Sequence, residues 1–266
     1  MRRPPLDAVR LAAVSGWDVE ILPETPSTNA VVAERARQGA PEGLVVTTEH
    51  QTAGRGRLDR AWSTPARSAL TVSALLRPDS VPAERWPWLP LMTGVAVADT
   101  LRGQGYAAGL KWPNDVLISG RKVCGILVER VDSPVGPAAV VGIGLNTSLA
   151  ADELPVPTAT SLALEKGAPV DRTELLHALL EQLTTSYAAW RERPQALTEA
   201  YLGLSVTVGR YVRAELPGGD LVGTATGIDA SGRLEVVPDG GTDPVAVGAG
   251  DVVHLRGAPA PDGEVT

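Results

Sequence analysis

Four segments of this 266-residue chain hold residue types that could do chemistry together. In Gly54-Arg55-Gly56-Arg57, two glycines free the backbone to turn N–H groups toward a ligand, and two guanidinium forks match a carboxylate or a phosphate. No Gly-Lys-Ser/Thr follows, which excludes a Walker A loop, and no G-x-G-x-x-G opens a helix, which excludes a dinucleotide fingerprint. Lys111-Trp112-Pro113-Asn114-Asp115 gathers a lysine, an amide and a carboxylate around a proline, the mark of a strand edge or bulge where side chains are re-aimed. Such polar groups on an apolar strand are costly to bury unless they pair or bind something. In Lys122-Val123-Cys124-Gly125-Ile126-Leu127-Val128-Glu129, alternation puts Lys122, Cys124, Ile126 and Val128 on one face. Lys122 is then either the solvated start of a strand or a buried cation awaiting an anion. Val141-Gly142-Ile143-Gly144-Leu145-Asn146 ends a strand with glycines that admit a bound group and an asparagine able to hydrogen-bond a base or ribose.

Taken singly, each segment also fits an ordinary role: a solvated basic loop, an exposed edge, a strand followed by a turn asparagine. Cys124 has no histidine beside it and reads as a small buried hydrophobe. His50, His177 and His254 form no metal pair. The combination says more. Of 24 basic residues only Lys111, Lys122 and Lys166 are lysine, and the only asparagines are Asn29, Asn114 and Asn146. Two of these lysines and all three asparagines fall in the four segments or in Ser27-Thr28-Asn29. The set offers cations for a carboxylate and for phosphates, the Asp115 carboxylate for magnesium, and no strong nucleophile. That chemistry suits activation of a carboxylic acid by ATP, where positioning and charge neutralisation carry catalysis.

The elements that must position these residues follow from periodicity. Ser27 as N-cap and Gly39 as terminator predict a helix over Ala30–Gln38, and Leu89–Arg102 predicts another. Gly43–Thr48 and Ser68–Leu76 read as strands. Leu110–Ile118, Val123–Val131 and Ala138–Leu145 read as an antiparallel meander, the first two joined by a hairpin at Ser119-Gly120. Asp171 and Glu174 have capping-box spacing at the head of the longest helix, which runs to Arg193-Pro194, with a short helix over Gln195–Leu202 beyond it. From residue 204 onward, 12 of the 28 glycines accompany short valine-rich strands, the pattern of a small β-barrel. The expected domains are 1–203 for binding and catalysis and 204–257 for the barrel, with 258–266 a disordered tail.

Composition narrows the class further. The single cysteine excludes an internal disulfide framework and fits a reducing cytosol. A net charge of −7 argues against a generic nucleic-acid coat or a basic membrane-surface protein, and no apolar run reaches the ~18 residues of a membrane span. Arg2-Arg3 is followed by no apolar export region. The chain reads as a cytoplasmic protein with no DNA or membrane partner.

The order S-T-N, E-H-Q-T-A-G-R-G-R, K-W-P-N-D-V, K-V-C-G-I-L-V-E and V-G-I-G-L-N resembles biotin protein ligase, and the terminal barrel is similar to that family's SH3-like domain. The resemblance implies an α+β fold: a catalytic domain related to class II aminoacyl-tRNA synthetases, with a mixed, largely antiparallel sheet, plus the barrel. It implies that biotin and MgATP give biotinyl-5′-AMP, which a lysine of a biotin carboxyl carrier domain of an acyl-CoA carboxylase then attacks. Carried over residue by residue, Ser27, Thr28, Asn29 and Gln51 contact the biotin head, and Arg55, Gly56 and Arg57 close over ligand with Arg57 holding the intermediate. Lys122 stands by the reacting carboxylate, Asp115 at the ATP–magnesium end, and Lys111 beside it in the catalytic group. Trp62, Asn114 and Asn146 contact ATP. No metal ligand is assigned beyond Asp115 and the ATP phosphates. At Cys124 the family more often has alanine, a small-for-small change. Some members carry an N-terminal DNA-binding module, for which the segment before Ser27 is too short. A lipoate or octanoate ligase of the same fold and a biotin sensor without catalysis are the alternatives.

Overall fold

The computed structural model describes residues 3–216, 218–248 and 250–255, so the expected tail at 258–266 lies outside the described residues. In chain order the elements are α1 (Ala8–Leu11), β1 (Asp18–Leu22), α2 (Thr28–Arg37), β2 (Leu44–Thr48), β3 (Gly54–Arg55), β4 (Ala61–Trp62) and β5 (Ala69–Leu76). Then come α3 (Leu89–Gly103), β6 (Ala108–Lys111), β7 (Asp115–Ile118), β8 (Arg121–Val131), β9 (Ala138–Asn146), α4 (Leu162–Lys166), α5 (Arg172–Glu192) and α6 (Pro194–Leu204). The last five strands are β10 (Tyr211–Glu215), β11 (Leu221–Ile228), β12 (Leu234–Pro238), β13 (Val245–Val247) and β14 (Asp251–His254).

Seven strands form one sheet in the order β1-β2-β5-β9-β8-β7-β6, with β1 parallel to β2 and every other pair antiparallel. Alternation along its central strands decides which face each side chain serves. Leu70, Val72, Ala74, Val141 and Ile143 join Val95, Leu101, Leu176 and Leu183 of α3 and α5 in the main core. Leu75 and Val140 instead meet Val32, Ala33 and Ala36 of α2 on the opposite face. On that α2 face the same strands continue as Ser73 and Thr71 on β5, and as Gly142, Gly144 and Asn146 on β9. The face is therefore apolar beneath α2 and turns polar and glycine-lined past the helix N-terminus.

Two differences from the sequence pattern matter for the site. Leu110–Ile118 is a β6–β7 hairpin rather than one strand, turning at Trp112-Pro113-Asn114, with a cis peptide before Pro113. The apolar residues either side of the turn hide the break. Second, β7 and β8 slip register between Val116/Leu117, pairing Val116 with Cys124 but Leu117 with Lys122. Val123 is the extra residue, and it and Cys124 are both buried in the main core. Lys122 consequently lies on the face of Gly125 and Leu127, opposite to Cys124.

Residues 211–254 form a second sheet, antiparallel throughout, in the order β13-β12-β11-β10-β14. Val212, Ala225, Leu234 and Val252 of this sheet belong to the same hydrophobic cluster as α3 and α5, so the core runs continuously between the two sheets. The mixed sheet with its small all-β appendage is the α+β arrangement that the sequence implies.

Candidate active site

The first turn of α2 forms one wall of the site. Ser27 is the N-cap, its hydroxyl accepting from Ala30 N, while Gln51 Oε1 accepts from Thr28 N at 3.0 Å. Asn29 donates through Nδ2 to Glu129 Oε2 at 2.6 Å, and its Oδ1 lies 2.6 Å from Ser73 Oγ. Ser73 Oγ also lies 2.8 Å from Thr28 Oγ1. The segment carrying Gln51 is itself anchored by a buried ion pair, Glu49 Oε2 to Arg172 Nη2 at 2.6 Å. Charge-assisted bonds between groups this well covered fix geometry even where their net stabilisation is modest.

Glycines form the floor. A Cβ on Gly142 would run into the Asn29 carboxamide, and one on Gly144 would lie 2.9 Å from the Trp62 indole. Gly125, the register partner of Gly144, lies under Lys122, whose Nζ would be 3.2 Å from a Cβ there. An amide, an indole and an ammonium thus rest directly on the sheet.

Lys122 Nζ approaches Asp115 Oδ1 to 2.5 Å, although Oδ1 is buried without an aligned hydrogen bond. Asp115 and Asn114 come from the β6–β7 hairpin, and Asn114 Nδ2 donates to Ile126 O at 2.8 Å. From the Gly54–Trp62 loop, Arg57 donates to Asn114 Oδ1 at 3.3 Å and to Gly250 O at 3.0 Å. Arg60 is paired with Asp251, so the second sheet contributes to the rim. Asn146, buried at the end of β9, donates to Thr160 O at 3.0 Å, but its Oδ1 and the buried Nε1 of Trp62 have no partner among the described residues. These are a free acceptor and a free donor in one space.

That space is a cavity of about 510 Å³. It is lined by Ser27, Thr28, Asn29, Gln51, Arg55, Gly56, Arg57, Trp62, Asn114, Asp115, Lys122 and Asn146, which is the expected set with one exception. Lys111 does not line it. Although it is the cross-strand partner of Asp115, the lysine lies near His254 of β14. Periodicity did not single out Val156, Thr158 and Ala159 on the rim, nor Asp251 from the far sheet. A backbone pairing with Lys122 brings in the Thr158–Ala159 segment, for which the side-chain pattern offers no signal. Burial pushes the Cys124 thiol well above its usual range, which leaves it inert as a nucleophile. Among the described residues no group of three or more His, Cys, Asp or Glu gathers to hold a metal, and no helix is long and apolar enough to cross a membrane.

Comparison with known proteins places this geometry. The Biotin/lipoate A/B protein ligase family matches residues 21–146, and the Biotin protein ligase C terminal domain matches residues 207–255. The chain is 43% identical to the biotin--[acetyl-CoA-carboxylase] ligase of Mycobacterium tuberculosis, over 96% of this chain and 97% of that protein. It is 31% identical to the bifunctional ligase/repressor BirA of Escherichia coli, over 86% of this chain and 72% of that one. The structure of the Aquifex aeolicus biotin protein ligase with biotin and ATP superposes with a TM-score of 0.77 at 27% identity, covering 90% of this chain and 99% of the other. With family-wide matches across both sheets and a near full-length relative at this identity, the chain belongs to the biotin protein ligases.

Proposed function

We propose that this chain joins biotin to ATP, forming biotinyl-5′-AMP and pyrophosphate, and then passes the biotinyl group to one lysine of a biotin carboxyl carrier domain, as in acetyl-CoA carboxylase. The observation that carries this reading is the Lys122–Asp115 pair, 2.5 Å apart in a cavity that also holds the Thr28–Asn29–Gln51 wall and the Trp62 indole. In the first step a carboxylate oxygen of biotin attacks the α-phosphorus of ATP, and two anions must meet. The Lys122 ammonium offsets their repulsion, most strongly where water is partly excluded. In the second step the carrier amine attacks the acyl carbon, an amide forms, and AMP leaves with the bonding pair.

Ser27, Thr28, Asn29 and Gln51 would face the fused-ring head of biotin, where buried hydrogen-bonding groups reward the matching polar atoms and reject analogues that lack them. Arg55, Gly56 and Arg57 would close over the ligand. Trp62, Asn114 and Asn146 would take the adenosine, with the free Oδ1 of Asn146 suited to an exocyclic amine. The substrate would be ATP with its magnesium ion. The Asp115 carboxylate fits a cation that keeps water and phosphate oxygens as its other ligands, and when bound it neutralises charge on the departing pyrophosphate. In this reading residues 1–203 are the catalytic domain and 204–257 the SH3-like domain, and the protein acts in the cytoplasm, which its single buried thiol suits.

The test is to mix protein, biotin, MgATP and a carrier domain and to weigh the carrier. A gain of one biotinyl group on one lysine is expected. Labelling with lipoate or octanoate in preference to biotin would move the protein to the lipoyl side of the family. Biotin binding with no nucleotide turnover would make it a sensor.

A further inference from the structure

The hairpin that presents Asn114 and Asp115 is held from behind by the segment joining α6 to β10 and by the β11–β12 turn. Val206 N donates to Leu110 O at 2.8 Å, Trp112 Nε1 donates to Gly232 O at 3.1 Å, and Trp112 N donates to Thr207 Oγ1 at 3.1 Å. Thr207 is fully buried, and its hydroxyl has one further neighbour, His254 Nε2 at 3.0 Å. A hydroxyl carries one proton and two lone pairs. One lone pair is used by Trp112 N–H, so among the described residues the proton has one place to go, the Nε2 lone pair of His254. We propose that Thr207 and His254 are positioning residues: a neutral His254 with Nε2 unprotonated accepts the Thr207 proton, which orients the hydroxyl to hold the Trp112 amide and so sets where Asn114 and Asp115 stand.

The surroundings favour that state. The charged groups about His254 are cationic: Lys111 from β6, Arg210 before β10, and Arg102, which lines the same cleft. No carboxylate among the described residues lines that cleft. Burial, then Lys111 and Arg210, lowers the His254 pKa below its ordinary value of about 6.5. Protonation would turn Nε2 from acceptor into donor, so the hydroxyl would accept from both Trp112 and His254 and its own proton would be left without a partner. The hold on the hairpin therefore loosens as pH falls through the His254 titration. The inference rests on the ligase reading only for its consequence in catalysis.

Two sets of measurements separate the relay from the ligase reading. Nitrogen NMR of the three histidines, with His254→Gln for assignment, should show His254 at pH 7 as the neutral Nδ1–H tautomer. Acidification through the His254 titration should shift the Asn114 side-chain amide, one of only three asparagines. An Nε2–H tautomer, an imidazolium at pH 7, or an Asn114 amide indifferent to that titration would overturn the relay. None of these readouts needs turnover, so a wild type that forms no adenylate counts against the ligase reading alone. In biotin-dependent ATP–pyrophosphate exchange, Thr207→Val should lower kcat about tenfold, the worth of one buried hydrogen bond. Biotin affinity should stay within about twofold, and Thr207→Ser should restore the rate. His254→Gln, whose amide oxygen still accepts, should keep the neutral rate and lose the acid limb of the pH profile. Equal losses in Thr207→Val and Thr207→Ser would assign the effect to packing and overturn the proposal.

Discussion

On the α2 side of the cavity, the polar side chains of the wall are bonded to one another: Thr28 with Gln51, Asn29 with Ser73 and Glu129, and Glu49 behind them with Arg172. The facing loop, Gly54–Trp62, is tied by a two-residue ladder, two hydrogen bonds from Arg57 and the exposed Arg60–Asp251 pair. Its tip, Leu58, is 69% exposed with φ 53°, a left-handed backbone that a branched side chain disfavours. One wall is built before the ligand arrives, whereas the other can let go. A preformed wall spends no ordering entropy on recognition, and a loosely held one admits large substrates and then closes over them.

The largest effect is expected where the walls meet. Lys122 has a side chain 38% exposed and pairs with Asp115 rather than with the core. Lys122→Ala should slow adenylate formation about 10²-fold or more with an unchanged melting temperature, read by pyrophosphate release beside a thermal scan. Lys122→Arg should be nearly as slow, because a planar fork does not replace a compact ammonium lying on Gly125. A near-normal arginine variant would mean that charge alone matters there.

Gly142→Ala attacks the rigid wall. The added methyl drives Asn29 from its partners, and overpacking of about 1–3 kcal/mol should weaken biotin binding roughly ten- to a hundredfold by calorimetry. Retained affinity would show that the wall can yield, which removes the contrast. Arg57→Gly tests the other side: biotin affinity should fall less than in Gly142→Ala, while activated biotin escapes to unrelated lysines. If the variant labels the carrier alone, Arg57 does not retain the intermediate. The smallest effect belongs to Asp251→Ala. An exposed pair contributes about 0–1 kcal/mol, so turnover should change at most about fivefold. Trypsin should nonetheless cut near Arg55–Arg60 faster, and biotin with ATP should suppress the cleavage in both proteins. Equal cutting with and without ligand would show a loop that does not close.

Much of this was legible in the sequence. The Ser27 and Asp171 caps, the apolar period of α3 and α5 and the runs of β5 and β9 each carry their own local signal, and the structure has them within a few residues. What escaped depends on partners far along the chain. Strand β1 shows little pattern because it is half-covered and its parallel neighbour β2 lies beyond α2. The bulge at Val123 is invisible to alternation, yet it decides that Lys122 faces the cavity while Cys124 is buried. The turn at Trp112-Pro113-Asn114 is likewise hidden: it makes Lys111 and Asp115 cross-strand partners, yet only Asp115 lines the cavity. Gly250 and Asp251 reach the rim only because the second sheet packs against the first, which no local pattern encodes.

The central claim is that Lys122 and the two walls together make and keep an activated acid. Its most direct test is a single turnover of the protein with biotin and MgATP and no carrier, followed by mass analysis of protein-bound and free fractions. The account predicts one equivalent of biotinyl-5′-AMP in the bound fraction with matching pyrophosphate in solution, and almost none of either from Lys122→Ala in the time the wild type needs for that turnover. Pyrophosphate without bound biotinyl-5′-AMP, or a full equivalent of adenylate from Lys122→Ala in that same time, would contradict it.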